Sequence, residues 1–278
     1  MEEKIIAVYC LSADLLKAFA HHEDPQSTMS DAEVMTVAIV AALFFGGNYE
    51  LARAMLKEEG YIPRMLSKSR FSRRLHRISP FFLSLFSVLG ETFKELNGES
   101  VYAIDTFPRL EGNRVCDNIR IPRSRLYQGE AYRGYKASKR RYFYGLTIHM
   151  MVTQAGQPVE FFLTGGAYSD TTGLEHFSFD VPVGSQVFGD KAYNHYVVED
   201  VLAECGIFLI PIRKSNSTRP LPPWMQYLQA VQRKIIETTG SLLERLLPKS
   251  IHAVTAKGFE LKVALFCLAC SANFLLPA

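Results

Sequence analysis

The feature that most constrains this chain is the order of strand-like and helix-like runs after residue 98. Runs rich in β-branched and aromatic residues fall at 100–105, 142–153, 158–163, 185–189 and 207–212. Helical runs separate the later ones, over 170–177, 196–205 and 225–247, and a final helical run covers 257–276. Gln154-Ala155-Gly156-Gln157 reads as the turn of a hairpin between the second and third runs, and Gly206 stops the helix before it. A chain in the order β-β-β-α-β-α-β-α closes as an α/β domain, a mixed five-stranded sheet flanked by helices. That order matches the ribonuclease H-like fold.

The residues before Asn97-Gly98 are patterned differently. Ser30 and Glu33 form a capping box ahead of the apolar run 34–45, and Gly46-Gly47 ends that helix. Further helices are predicted over 48–58, 68–78 and 80–96. The chain is thus expected to have an all-helical region over 1–98 and the α/β domain over 99–278. On the helix 68–78, Arg70, Arg73, Arg74 and Arg77 share one face at i, i+3, i+4 and i+7, while Phe71, Leu75 and Ile78 share another. Four guanidiniums on one face repel unless an anion meets them, so 1–98 is expected to bind DNA phosphate. The plainer alternative is a solvated face.

Net charge is only +3, but it is segregated. Residues 64–77 hold six basic side chains and no acid; residues 113–141 hold nine against Asp117 and Glu130. Such clustering suits a polyanion. In the second window Arg133 and Lys136 alternate with Tyr127, Tyr132 and Tyr135, a pattern that could grip a frayed DNA end, with cations on phosphate and rings on bases. Its charges also suggest a loop that moves when DNA is absent. Against that, Ile119, Ile121, Leu126 and the tyrosines could simply pack the loop over a sheet edge.

The apolar runs 34–45 and 263–276 are shorter than the roughly 20 residues of a membrane span, and no signal peptide is evident. Cys267 and Cys270 lie one helical turn apart in an apolar run and read as core residues. No membrane association and a reduced, cytoplasmic location are expected.

Three acids occupy informative places in the α/β order. Asp105 ends the first strand, Asp190 ends the fourth, and Glu237 lies on the long helix after the fifth. Strand ends and the helix beside them are where side chains converge in an open α/β sheet. Mg²⁺ or Mn²⁺ takes hard oxygen ligands, so two or three carboxylates with phosphate oxygens suffice for metal-dependent phosphodiester chemistry. Singly, an Asp after a strand is usually a turn or helix cap. Asp170, before a helical run, is read as an N-cap; Glu244 as a surface acid; His149 as a satisfied core histidine.

The segments around these acids resemble the DDE insertion-sequence transposases of bacteria. Tyr102-Ala103-Ile104-Asp105-Thr106 is similar to the family's strand ending in Asp and a small hydroxyl residue. The stretch from Val115 to Ile121, the strand from Phe143 to His149, and Phe188-Gly189-Asp190-Lys191-Ala192-Tyr193 are similar to its successive motifs. Arg233-Lys234-Ile235-Ile236-Glu237 is similar to its third acidic motif, with Arg four residues before Glu. Two departures stand out: Ala230 where the family has Tyr, and Glu244 followed by Arg245 where it has Lys.

The resemblance implies a transposase in which Asp105, Asp190 and Glu237 bind Mg²⁺ or Mn²⁺. It implies cleavage at element ends, transfer of the exposed 3′-OH to target DNA, and phosphate contacts by Arg233 and Arg245. Its partners would be terminal inverted repeats and target DNA, with a homodimer expected because two ends must meet. A stand-alone nuclease of the same fold, or a DNA-binding descendant without activity, are the alternatives.

Overall fold

In the computed structural model, residues 1–107, 129–136, 141–248, 251 and 253–275 are described. In chain order the elements are α1 (Glu2–Ala18), α2 (Asp31–Phe44), α3 (Tyr49–Glu58), α4 (Lys68–Arg77), α5 (Pro80–Leu96) and β1 (Val101–Phe107). There follow β2 (Arg133–Lys136), β3 (Arg141–Tyr144), β4 (Leu146–Thr153), β5 (Pro158–Gly165), α6 (Asp170–Leu174) and β6 (Gln186–Gly189). The chain ends with α7 (Tyr196–Glu204), β7 (Phe208–Pro211), α8 (Pro223–Leu246) and α9 (Ala256–Ala272). Two compact units result: Met1–Leu89 with Arg245–Ala278, and Gly90–Glu244.

The first unit is a helical bundle around α2. The sequence of α2 is apolar on nearly every face, so its stable place is a position covered all round, and α1, α3, α4 and α9 pack against it. The capping box forms: the Ser30 hydroxyl accepts from the Glu33 amide at 3.0 Å, and the Ser30 amide donates to Glu33 Oε2 at 2.6 Å. Gly46 and Gly47 both take positive φ and end the helix. α9 is also apolar on most of its surface and lies beside α2, with Cys267 and Cys270 as buried thiols. The last helix therefore joins the N-terminal bundle and not the sheet. Among the described residues, no single helix is long and apolar enough to cross a membrane.

The second unit is built on a five-stranded mixed sheet in the order β5-β4-β1-β6-β7. β1 runs antiparallel to β4 and parallel to β6; β4 runs antiparallel to β5, and β6 parallel to β7. With helices against it, this is the ribonuclease H-like arrangement the element order predicts. The central strands are buried on both faces: Tyr102, Ile148, Met150, Met151 and Val152 have no exposed surface. α8 buries Gln229, Gln232, Ile236, Thr239, Gly240 and Leu243 and is tied down by Gln229 Nε2 to the Ile210 carbonyl at 3.3 Å and Thr239 Oγ1 to the Gly156 carbonyl at 2.7 Å.

Two expectations need correction here. The run 142–153 is not one strand. It bends at Gly145, and β3 pairs with β2 in a separate two-stranded ribbon, with Arg133 opposite Tyr144 and Lys136 opposite Arg141. The predicted basic loop 113–141 thus ends in regular structure. Its return to the sheet is fixed by backbone bonds from Gly145 to Tyr132 and from Ala167 to Ala131, and a Cβ on Gly165 would meet the Ala131 carbonyl. The second concerns α6, which is capped by Ser169 accepting from the Thr172 amide at 3.1 Å. Asp170 is the first helical residue and not the cap.

Candidate active site at the ends of the central strands

β1 and β6 are neighbours, with Ala103 opposite Phe188 in parallel register. Two residues further along stand Asp105, which lies within β1 opposite Met150 and does not end the strand as expected, and Asp190, just past β6, so the same register carries both acids toward the same end of the sheet. Asp105 is half-buried, and its Oδ1 accepts from the Thr106 amide at 2.8 Å. Asp190 leaves the strand and caps a short turn, its Oδ1 accepting from the Ala192 amide at 2.7 Å.

Glu237 lies on the exposed side of α8, one turn beyond Arg233, and Arg233 Nε donates to Glu237 Oε1 at 2.7 Å. The Arg233 guanidinium is held above its usual range first by the bond to Glu237 and then by the charges of Glu237, Asp190 and Asp105. All three acids thus act on one cation. The Tyr193 side chain closes the floor of this region. It is fully buried against Gly189 and Ile104, where a Cβ on residue 189 would come within 3.0 Å of the ring. Its hydroxyl is pushed up, first by burial and then by Asp170, Asp105 and Asp190.

The turn after Asp190 is braced from behind. Asn194 Nδ2 donates to the Ile212 carbonyl at 2.7 Å and the Lys191 carbonyl at 2.9 Å. Arg213 donates to Asn194 Oδ1 at 3.2 Å and grips Glu199 through two bonds of 2.7 Å. Sequence reasoning missed this brace; Arg213 and Glu199 are separated in the chain and meet only because α7 packs beside β7.

The residues from 101 to 251 match the family model of a transposase DDE domain. The chain belongs to the DDE transposases. No curated protein and no solved structure gives a significant match. Across this family the acids hold divalent metal, and the donor chemistry here fits such an ion: Asp105 and Asp190 supply carboxylate oxygens at one sheet end, the charges of both and of Glu237 reach Arg233, and the buried Tyr193 hydroxyl near the two aspartates makes no close hydrogen bond, although Thr106 lies beside it.

The other sequence-predicted contacts of the transposase are distributed as follows. Arg70, Arg73 and Arg77 are exposed on α4, although Arg77 also reaches the buried Asp31, its Nη2 3.7 Å from Oδ2. Arg74 is not part of that surface. It turns inward, its Nε 2.5 Å from Asp31 Oδ1, and bonds Ser27 and the Met29 carbonyl. Asp31 is wholly buried, so the α4 helix offers its guanidinium as the required counter-charge. His21 Nε2 also lies 2.8 Å from Asp31. His21, Glu23 and Asp31 could in principle ligate a metal, but Arg74 already supplies the positive charge between them, reaching Glu23 at 3.6 Å.

Arg233 is engaged with Glu237, and Arg245 is exposed at the end of α8. Arg133 begins β2, and Lys136 ends it. Most of the basic window, and with it Tyr127 and the Val115–Ile121 motif, lies outside the described residues. His149 is a core residue as expected: it stacks on Phe162 at 4.7 Å, and its Nε2 lies 2.9 Å from Thr164 Oγ1. Burial first, then His176, pulls its pKa down to about 4.

Proposed function

We propose that this transposase cleaves DNA at the ends of a mobile element and joins the exposed 3′-OH to target DNA, with Asp105, Asp190 and Glu237 holding Mg²⁺ or Mn²⁺. The observation that carries the reading is the parallel register of β1 and β6. It delivers two carboxylates to one sheet end, and the charges of both reach Arg233, the partner of Glu237 on α8, which supports counting Glu237 with them. A divalent cation there supplies positive charge to the phosphate and acidity to water.

The chain's own groups do the rest. Asp105 and Asp190 are pre-oriented by backbone amides, so little side-chain freedom is lost when they engage a ligand. Arg233, now bonded to Glu237, would be available to neutralise charge on a phosphate if Glu237 held the cation. In the first step water replaces the 3′-oxygen on phosphorus. In the second, that 3′-oxygen displaces its counterpart in target DNA, so one phosphodiester is lost and one made. Arg245, Arg133 and Lys136 bind DNA phosphate, and Arg70, Arg73 and Arg77 on the helical region 1–98 bind the duplex. Work on chromosomal DNA by a chain with buried free thiols fits the reducing cytoplasm. A homodimer on DNA follows from the need to hold two ends.

The test is an end-labelled duplex carrying the DNA that flanks the gene, incubated with target DNA and Mg²⁺. The reading expects nicks with 3′-OH ends followed by a longer joined product. Nicking without joining indicates a stand-alone nuclease, and DNA binding with neither indicates a descendant without activity.

A further inference from the structure

The short helix α6 brings a fourth acid to the same place. Thr171 Oγ1 donates to the Ala192 carbonyl at 2.7 Å, and the Ala192 amide donates to Asp190 at 2.7 Å. One residue, Ala192, therefore links the start of α6 to the second acid of the triad. Asp170 immediately precedes Thr171, and Ser169 has already taken the capping role, so the helix end does not require the Asp170 carboxylate as its cap. Gly173, one turn on, sets the height of α6 over the sheet: a Cβ there would fall 2.2 Å from the His149 ring. The helix is seated as closely as its backbone allows. Near it is the fully buried Tyr193 hydroxyl, which has Thr106 beside it but no close hydrogen bond. The acids whose charges reach that hydroxyl are Asp170, Asp105 and Asp190.

We propose that Asp170 is a fourth carboxylate of the metal centre, a positioning residue that accepts hydrogen bonds from the cation's water ligands on the side of Asp105 and Asp190. Mg²⁺ and Mn²⁺ keep several waters when few protein oxygens reach them, and an outer carboxylate orients those waters and adds charge to the site. The proposal rests on the assignment of Asp105 and Asp190 as metal ligands.

The experiment is a Mn²⁺ titration of the full chain without DNA, read by the loss of free-ion electron paramagnetic resonance signal. Asp170→Asn is expected to weaken binding by about ten- to a hundred-fold, as removal of outer-sphere partners does elsewhere. Asp170→Glu is expected to recover part of the loss, and Asp180→Asn, which removes a surface acid, to bind as the wild type. Asp170→Ser keeps an oxygen at the first turn without the charge, so it decides the matter if the Asn form does not fold. Wild-type affinity in either folded variant overturns the proposal. Asp105→Asn separates the two layers of argument: if it too binds Mn²⁺ normally, the triad assignment itself fails, whereas loss there with no effect at Asp170 removes only the fourth carboxylate.

Discussion

Glu199→Gln tests whether the region behind the second acid depends on a buried charge pair. Glu199 and Arg213 are 7% and 12% exposed and joined by two bonds of 2.7 Å. Removing one member of such a pair strands the other charge, at a cost of about 3–5 kcal/mol. For a unit of this size each kcal/mol lowers the melting temperature by about 2–4 °C, so a fall of roughly 6–20 °C is expected by differential scanning calorimetry. The double variant Glu199→Met, Arg213→Met should regain much of the loss, because two apolar chains of similar volume leave no uncompensated charge. It cannot restore the Arg213 bond to Asn194, so the turn after Asp190 should stay loose and Mn²⁺ affinity low while stability recovers. A melting temperature within about 2 °C of wild type for the single variant would show that solvent reaches the pair and that the brace is not needed.

Three further outcomes follow from the geometry. Replacing Arg70, Arg73 and Arg77 by Gln should reduce the log–log salt slope of DNA binding by about 0.9 for each phosphate no longer neutralised, with filter binding across a salt series as the measure; an unchanged slope makes the face a solvated one. Arg74→Met should leave that slope alone and instead destabilise the first unit, because Asp31 is buried and Arg74 is its closest cation. His149 titrates lower in the folded chain than its unfolded value of about 6.5, so the unfolded state gains a proton first as pH falls. Its contribution is intact above about pH 6.5 and is lost on acidification toward about 4, by roughly 2–3 kcal/mol at pH 4.5; denaturant titrations of wild type and His149→Asn at pH 7 and 4.5 should show that difference only in the wild type.

Much of this was legible in the sequence because it depends on local signals. Strand order, the capping box at Ser30, the glycine stops and the positions of the three acids are all written in neighbouring residues. What escaped is what distant residues decide together. Arg74 shares a helical face with Arg70 and Arg77 by spacing, yet buried Asp31, forty-odd residues earlier, claims it. The destination of α9 depends on whether α2 has an uncovered side, which periodicity within α9 does not reveal. The run 142–153 reads as one strand because Gly145 alone interrupts it, and only the pairing of β2 with β3 makes that glycine a bend. Asp170 looked like a cap because capping residues precede helices; Ser169, one place earlier, satisfies the same amides.

The central claim is that Asp105, Asp190 and Glu237 form one metal site, and Glu237 is its most exposed member, engaged with Arg233 at 2.7 Å. The direct measurement is Mn²⁺ affinity, by isothermal titration calorimetry, of wild type and of Asp105→Asn, Asp190→Asn and Glu237→Gln, each checked for an unchanged fold by circular dichroism. The account predicts weaker binding in all three, with DNA binding retained and strand cleavage lost. Wild-type Mn²⁺ affinity in any one of them, Glu237→Gln above all, would contradict it.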